Sequence, residues 1–215
     1  MKLDPLELIP EPLNLAVKVG KKGIEAYLAR RADIAREELV LQMTKGKPWK
    51  ISDDRTAAMA LQFRRAWEEG VAKANLRLLA QAIANEGSEP SLGHSEFRRH
   101  SENLAGLTYP EIVVCARLVE IQRAAPARPA DADDEQLVAE AEVRISLFSK
   151  FVLPLAADPL FGSRDAVSGT CIALQRTGWL RVLSVFGDPM FTPTPSFDAV
   201  AKMVEFEEAM AAGVE

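Results

Sequence analysis

Apolar residues recur at helical spacing along most of the chain. Phe63, Trp67, Val71, Ala74, Leu78 and Ala82 follow one another at steps of four, four, three, four and four. That spacing predicts one long helix, from Ser52 to about Asn85, with a single buried stripe. Ser52 offers an N-cap, and Asp53 and Asp54 put negative charge in the first turn. Upstream, a proline-punctuated, leucine-rich opening leads into a helical pattern from Asn14 past Leu28. A second pattern runs from Asp33 to Met43 and ends at Lys45-Gly46-Lys47-Pro48, because proline disfavours helix at the residue before it. Downstream, Gly87 to Gly93 reads as a loop, and Ser95 to Leu104 as a short helix anchored by Phe97 and Leu104. Thr108-Tyr109-Pro110-Glu111 has the spacing of a capping box with proline in the first turn, and the strongly apolar run Ile112 to Gln122 behind it predicts a buried helix.

The pattern changes at Ala124 to Asp133, where alanine, proline and aspartate leave little to bury. This divides the chain into a helical domain (1–125), a linker (126–133) and a second domain (134–215). In the second domain, Asp133 or Asp134 caps a helix carrying Leu137, Ala141, Ile145 and Phe148 on one face, and Pro154 and Pro159 force a break. Next comes a helix with Val167, Ile172 and Leu174 inside, stopping at Gly178, where a left-handed residue suits a helix end. Trp179, Leu180, Val182, Leu183, Val185 and Phe186 are rich in strand formers, and Gly187-Asp188-Pro189 supplies a turn. Met190-Phe191-Thr192 returns until Pro193 and Pro195 end the ladder. A closing helix runs from about Ser196, with Phe197, Val200, Ala201 and Val204 inward, and Trp179 and Phe191 pack the hairpin onto the helices. The expected fold is therefore mainly α: an N-terminal helical region followed by a C-terminal winged-helix-like module with a short β-hairpin.

Composition narrows the class. With 48% hydrophobic and 27% charged residues over 215 positions, the chain is an ordinary globular sequence able to build a sizeable core. Its two cysteines, Cys115 and Cys171, are set among apolar neighbours, so a disulfide framework is not needed and a reduced, cytoplasmic setting is the simpler reading. No apolar run approaches the roughly 18 residues of a membrane span, and Pro5, Pro10 and Pro12 interrupt any signal-peptide core. Residues 1–100 carry 17 basic against 14 acidic residues, net +3; residues 101–215 carry 9 against 17, net −8. The module shaped like a nucleic-acid reader thus lies in the acidic half, a disadvantage for affinity that comes from neutralising phosphates.

Candidate chemistry is sparse, and no catalytic, cofactor-binding or metal residue set is expected. His94 and His100 are six positions apart, which on a helix puts them on different faces and rules out an i,i+4 metal pair. Both read as solvated positions. No Gly-x-Ser-x-Gly, His-Glu-x-x-His or phosphate-loop motif occurs. Of the carboxylate clusters, Asp53/Asp54 and Asp133/Asp134/Glu135 sit where helices begin and Glu68/Glu69 on a helix surface, so capping and solvation explain them. Arg64/Arg65 and Arg98/Arg99 read as surface charge, and Glu69 and Lys73 as an outer-face ion pair. If the module reads DNA, Arg164, Arg176 and Arg181 are placed for phosphate, with Ser168, Thr170 and Gln175 for base edges or sugar. The wing tip Phe186-Gly187-Asp188-Pro189 lacks a basic residue.

The run Leu78 to Ala84, the polar loop, Ser95-Glu96-Phe97 leading to Leu104, and Leu107-Thr108-Tyr109-Pro110-Glu111 with its apolar helix are similar to the middle of bacterial abortive-infection alpha (Abi-alpha) proteins. Leu174 to Leu180 and Phe191-Thr192-Pro193 resemble that family's closing segment. The resemblance implies a helical protein with a winged-helix-like end, associated with phage defence and lacking a recognised catalytic set. Three readings follow. The first is a non-enzymatic interaction protein that binds a protein partner or a second copy of itself. The second is a dimeric DNA-binding regulator. The third is an enzyme with a site assembled from dispersed residues such as His100, Glu102, Arg117 and Ser146.

Overall fold

The computed structural model describes residues 29, 30, 32–43, 48, 50–124, 151–183 and 190–212. The leucine-rich opening, the 126–133 boundary, the helix expected from Asp133 to Phe148 and the wing tip lie outside the described residues. The described chain is mainly helical, with a small two-stranded antiparallel hairpin near its C-terminal end. No helix among the described residues is long and apolar enough to cross a membrane.

Residues 32–43 form helix α1, whose inner face carries Ala35 and Glu38. Helix α2 (Asp53–Glu68) starts as its sequence predicts, with Ser52 Oγ accepting from the Arg55 N–H and two aspartates in the first turn. It does not continue to Asn85. Gly70 turns left-handed (φ 87°), its N–H bonds to the Trp67 carbonyl at 3.2 Å, and the Val71 N–H reaches back to Ala66 at 3.1 Å. This paired closure ends the helix and directs the chain into α3 (Lys73–Ser88). The apolar stripe survives the break because Phe63, Ala74, Leu78 and Ala82 are buried while Trp67 and Val71 pack against the same core. Glu69 and Lys73 consequently lie on either side of a turn, not on one helical face.

Helix α3 is the centre of the molecule: nearly every residue from Ala74 to Ser88 is buried. Helix α4 (His94–Ala105) is anchored by Phe97 and Leu104, as expected, and α5 (Tyr109–Ala124) buries Glu111 to Ala116, Leu118 and Val119. Two buried polar groups hold the connections. Glu86 accepts from Arg55 (2.5 Å), from the Ser91 N–H and hydroxyl, and from the Leu92 N–H, fixing the loop after α3. Asn75 Nδ2 donates to the carbonyls of Leu104 and Leu107, each at 2.8 Å, and so satisfies groups left open by the end of α4.

Residues 151–157 are helical (α6), with Phe151 and Leu155 buried. Pro154 lies within this helix instead of breaking it; the chain leaves helix at Asp158, just before Pro159. Helix α7 (Arg164–Leu174) tightens into a 3-10 turn (Gln175–Thr177) and ends on left-handed Gly178 (φ 73°). Strand β1 (Leu180–Leu183) pairs with β2 (Met190–Pro193), Leu180 opposite Pro193 and Val182 opposite Phe191. The closing helix is two short ones, α8 (Pro195–Ala201) and α9 (Phe206–Ala212), joined through buried Met203 and Val204. Phe197, Val200 and Val204 are inside as expected, with Ala201 partly so.

One hydrophobic core runs through both halves of the sequence. Helix α9 packs on α3 and α5, and α7 packs on α5. Three side chains of α3, spaced by four, hold main-chain groups of the C-terminal segment. Arg77 donates to the Glu208 carbonyl (3.2 Å), Gln81 accepts from the Glu205 N–H (2.8 Å), and Asn85 donates to the Met203 carbonyl (2.7 Å). Arg77 is itself set by a bidentate pair with Glu38 of α1, at 2.8 Å for both bonds.

Candidate functional site

The outer face of α7, its 3-10 extension and the root of β1 gather the residues that the sequence marks for binding. Ser163 starts the helix by accepting from the Ala166 N–H at 3.1 Å, and Asp165 sits in the first turn. Val167, Cys171 and Leu174, at steps of four and three, form the buried stripe. Ile172, expected inside, lies off that stripe and is 55% exposed. Its position was legible: five residues past Val167 corresponds to about 140° of helical rotation, well away from the inner face.

The six candidate nucleic-acid contacts do not share one role. Arg164 and Arg181 are exposed. Ser168 and Thr170 are half-buried, and the Thr170 hydroxyl donates back to the Ala166 carbonyl at 3.0 Å, so part of its bonding capacity is used within its own helix. Gln175 is half-buried in the 3-10 turn. Arg176 is occupied. Its guanidinium bonds both carboxylate oxygens of Glu111 on α5, and also donates to the carbonyls of Ala173 (2.8 Å) and Gly106 (3.1 Å).

Glu111 is the residue this arrangement turns on. Its side chain is buried, and one oxygen also accepts from the Thr108 N–H (2.8 Å) and hydroxyl (3.0 Å), the carboxylate half of the predicted capping box. Burial pushes the carboxyl pKa up, but the bonds from Arg176 and Thr108 outweigh it and hold the group below its ordinary 4.5. The same pair raises Arg176. The capping spacing made Glu111 visible as a helix-start residue; nothing in local spacing joins it to an arginine 65 positions later.

Beneath this face the interior is aromatic. Trp179, Phe197 and Phe206 are fully buried, with ring centroids 6.0–6.5 Å apart. His100, expected in solvent, is fully buried against them; its Nδ1 accepts from Trp179 Nε1 at 3.2 Å. His94 is exposed. Cys115 and Cys171 are buried free thiols, and desolvation drives both up, Cys115 well above 9.0 and Cys171 to about 12. Thiols held protonated in this way are poor nucleophiles and poor metal ligands. Among the described residues no cluster of three or more His, Cys, Asp or Glu side chains is arranged to hold a metal ion.

A groove of about 490 Å³ lies between the α2–α3 turn and the end of α4. Gln62, Arg65, Glu69, Arg98 and Glu102 contribute its polar lining and Leu79 part of its apolar lining. Arg98 is tied to Glu102 at 2.8 Å, and both side chains are largely exposed. Among the described members of the dispersed set, His100, Glu102 and Arg117, only Glu102 lines this groove. Arg117 is exposed and pairs with Glu120 at 2.7 Å, and Ser146 lies outside the described residues. The paired residues flagged in sequence separate: Arg64 bonds Glu68 on the surface of α2, whereas Arg99 reaches Ser196 at 3.3 Å.

No protein-family model matches the chain, and no curated protein or solved structure matches it either.

Proposed function

We propose that this protein is a non-enzymatic interaction module of the cytoplasm, in which a winged-helix-like unit formed by α7, the β-hairpin and α8 meets a protein partner or a second copy of the chain through the outer face of α7. The observation that carries the reading is how the side chains of this unit are used. Arg176, central among the candidate phosphate contacts, is committed to a buried carboxylate, while apolar Ile172 (55% exposed) and Val182 (41%) are turned to solvent. Exposed branched aliphatic side chains favour a dry protein contact over a phosphate backbone. The acidic balance of residues 101–215 points the same way.

The second reading, a dimeric DNA-binding regulator, is favoured by exposed Arg164 at the start of α7 and exposed Arg181 on β1. Fluorescence anisotropy with random-sequence duplex DNA, at about 50 mM and about 200 mM salt, separates the two because phosphate-driven affinity falls steeply across that interval. The interaction reading expects no binding at the lower salt, together with a concentration-dependent mass or a co-purifying protein that Ile172→Asp abolishes. Micromolar binding lost at the higher salt and weakened by Arg181→Glu would overturn it. Resemblance to Abi-alpha proteins supports a phage-defence setting. Plaque counts on cells expressing the wild-type chain or Ile172→Asp test it, with protection expected from the first alone.

A further inference from the structure

His100 projects inward from α4 and is fully buried. An indole nitrogen can only donate, so the bond from Trp179 Nε1 requires a lone pair on His100 Nδ1 and puts the single ring proton on Nε2. That Nε2 is buried without a hydrogen-bond partner. Glu96, one turn earlier on α4, has its Oε1 3.9 Å away, beyond hydrogen-bond reach. The structure therefore accepts one protonation state. A second proton on Nδ1 would set one N–H against another.

The surroundings oppose that second proton. Burial and the charge of Arg99 disfavour it and Glu96 favours it; the balance lies below the ordinary histidine value of 6.5. Both charged groups belong to α4. From the C-terminal side the ring meets Trp179, at a centroid distance of 6.3 Å, with Phe197 and Phe206 packed behind it. Trp179 is also where the hairpin starts. Its carbonyl accepts from the Thr194 N–H (2.9 Å), and the Thr194 hydroxyl donates to the Gly178 carbonyl (2.7 Å), closing the two strand ends beside α8.

We propose that His100 is a proton-operated latch: a second proton on its ring breaks the Trp179 hydrogen bond, draws Nε2–H toward Glu96, and loosens the hairpin root and the helices behind it from α4. The proton comes from solvent, and no other bond is made or broken. Because the folded ring holds its proton less tightly than the unfolded one, the unfolded chain takes up more protons as pH falls below 6.5. The latch therefore stabilises the fold above that pH and is lost as pH falls through the folded value.

The chain has only two histidines, so the test is direct. In the full chain, NMR follows both histidine rings and the Trp179 indole N–H from about pH 7.5 to about pH 5, an interval dominated by histidine titration. The indole resonance is expected to shift and to exchange faster with the same midpoint as the His100 ring, below 6.5. In parallel, the wild-type urea midpoint falls over that interval, and the fall is less than half as large in His100→Gln, which accepts from Trp179 at every pH. An indole signal that ignores the His100 titration, or a Gln variant that keeps the full wild-type fall, would overturn the latch. The first measurement stands on the native chain even if the variant does not fold.

Discussion

Helices α3 and α7 are built from similar apolar material and end up in opposite situations. Helix α3 is surrounded: α2, α4 and α9 pack on it, and even its polar residues Asn75, Gln81 and Glu86 are buried with partners. Helix α7 buries one narrow stripe and leaves Ile172 to solvent. The difference lies in what each helix joins. The polar groups of α3 are consumed by neighbouring chain, whereas the main polar tie between the end of α7 and the core is the 3-10 turn's Arg176, held by Glu111. A surrounded helix serves the fold. A helix with one face inside has another to offer.

Truncating the interior of α3 should do the most damage. Leu78→Ala removes a fully buried side chain and is expected to cost about 3 kcal/mol in urea unfolding. A loss below about 1 kcal/mol would mean that α3 is not the enclosed spine described here. Glu111→Gln tests the seam that holds the α7 end. It keeps an acceptor for Thr108 but removes the charge opposite a half-exposed guanidinium, for an expected cost of about 1–2 kcal/mol. Its pH dependence has a definite sign. The folded carboxyl lies below 4.5, so its stabilisation is complete above that pH and is lost as pH falls through the folded value, and the Gln variant should lack this component of acid unfolding. Gly178→Ala places a Cβ on a left-handed residue and should cost about 1 kcal/mol, although the space around it is open. The smallest effect completes the contrast: Ile172→Asp should move the urea midpoint by less than about 0.5 kcal/mol while abolishing any association made through α7.

Helical spacing made much of this architecture readable. The stripe from Phe63 to Ala82 identified buried surface correctly even though it crosses a break, because the turn at Gly70 returns the chain to the same side of the core. The break itself was harder to see, since a glycine inside an apolar pattern is compatible with either outcome. The capping residues Ser52 and Glu111, the left-handed Gly178 and the hairpin after it are local signals, and they appear where local chemistry puts them. What escaped was long-range. His100 is buried because a tryptophan 79 positions later covers it, and Arg176 is occupied because a capping glutamate is near in space and far in sequence. The proline at 154 misled because a proline weakens a helix without fixing where it ends: Pro154 sits among helical residues 151–157, and the chain leaves helix only just before Pro159.

The rungs that Arg77, Gln81 and Asn85 extend to residues 203–208 have a consequence in time. They bind main-chain atoms, and the captured segment is fixed as well by its buried side chains Met203, Val204 and Phe206 and by the Gln81 amide donating to the Glu208 carboxylate. The rungs also bind a segment made more than a hundred residues after them. At ordinary rates of synthesis the ribosome needs on the order of ten seconds to travel that distance. For that interval every nascent molecule carries a face of α3 on which the Gln81 and Asn85 amides lack the C-terminal main-chain groups they later bind. The last turns of the fold then cover it, so a ribosome that stalls before residue 203 leaves behind a chain whose central helix still lacks its partner.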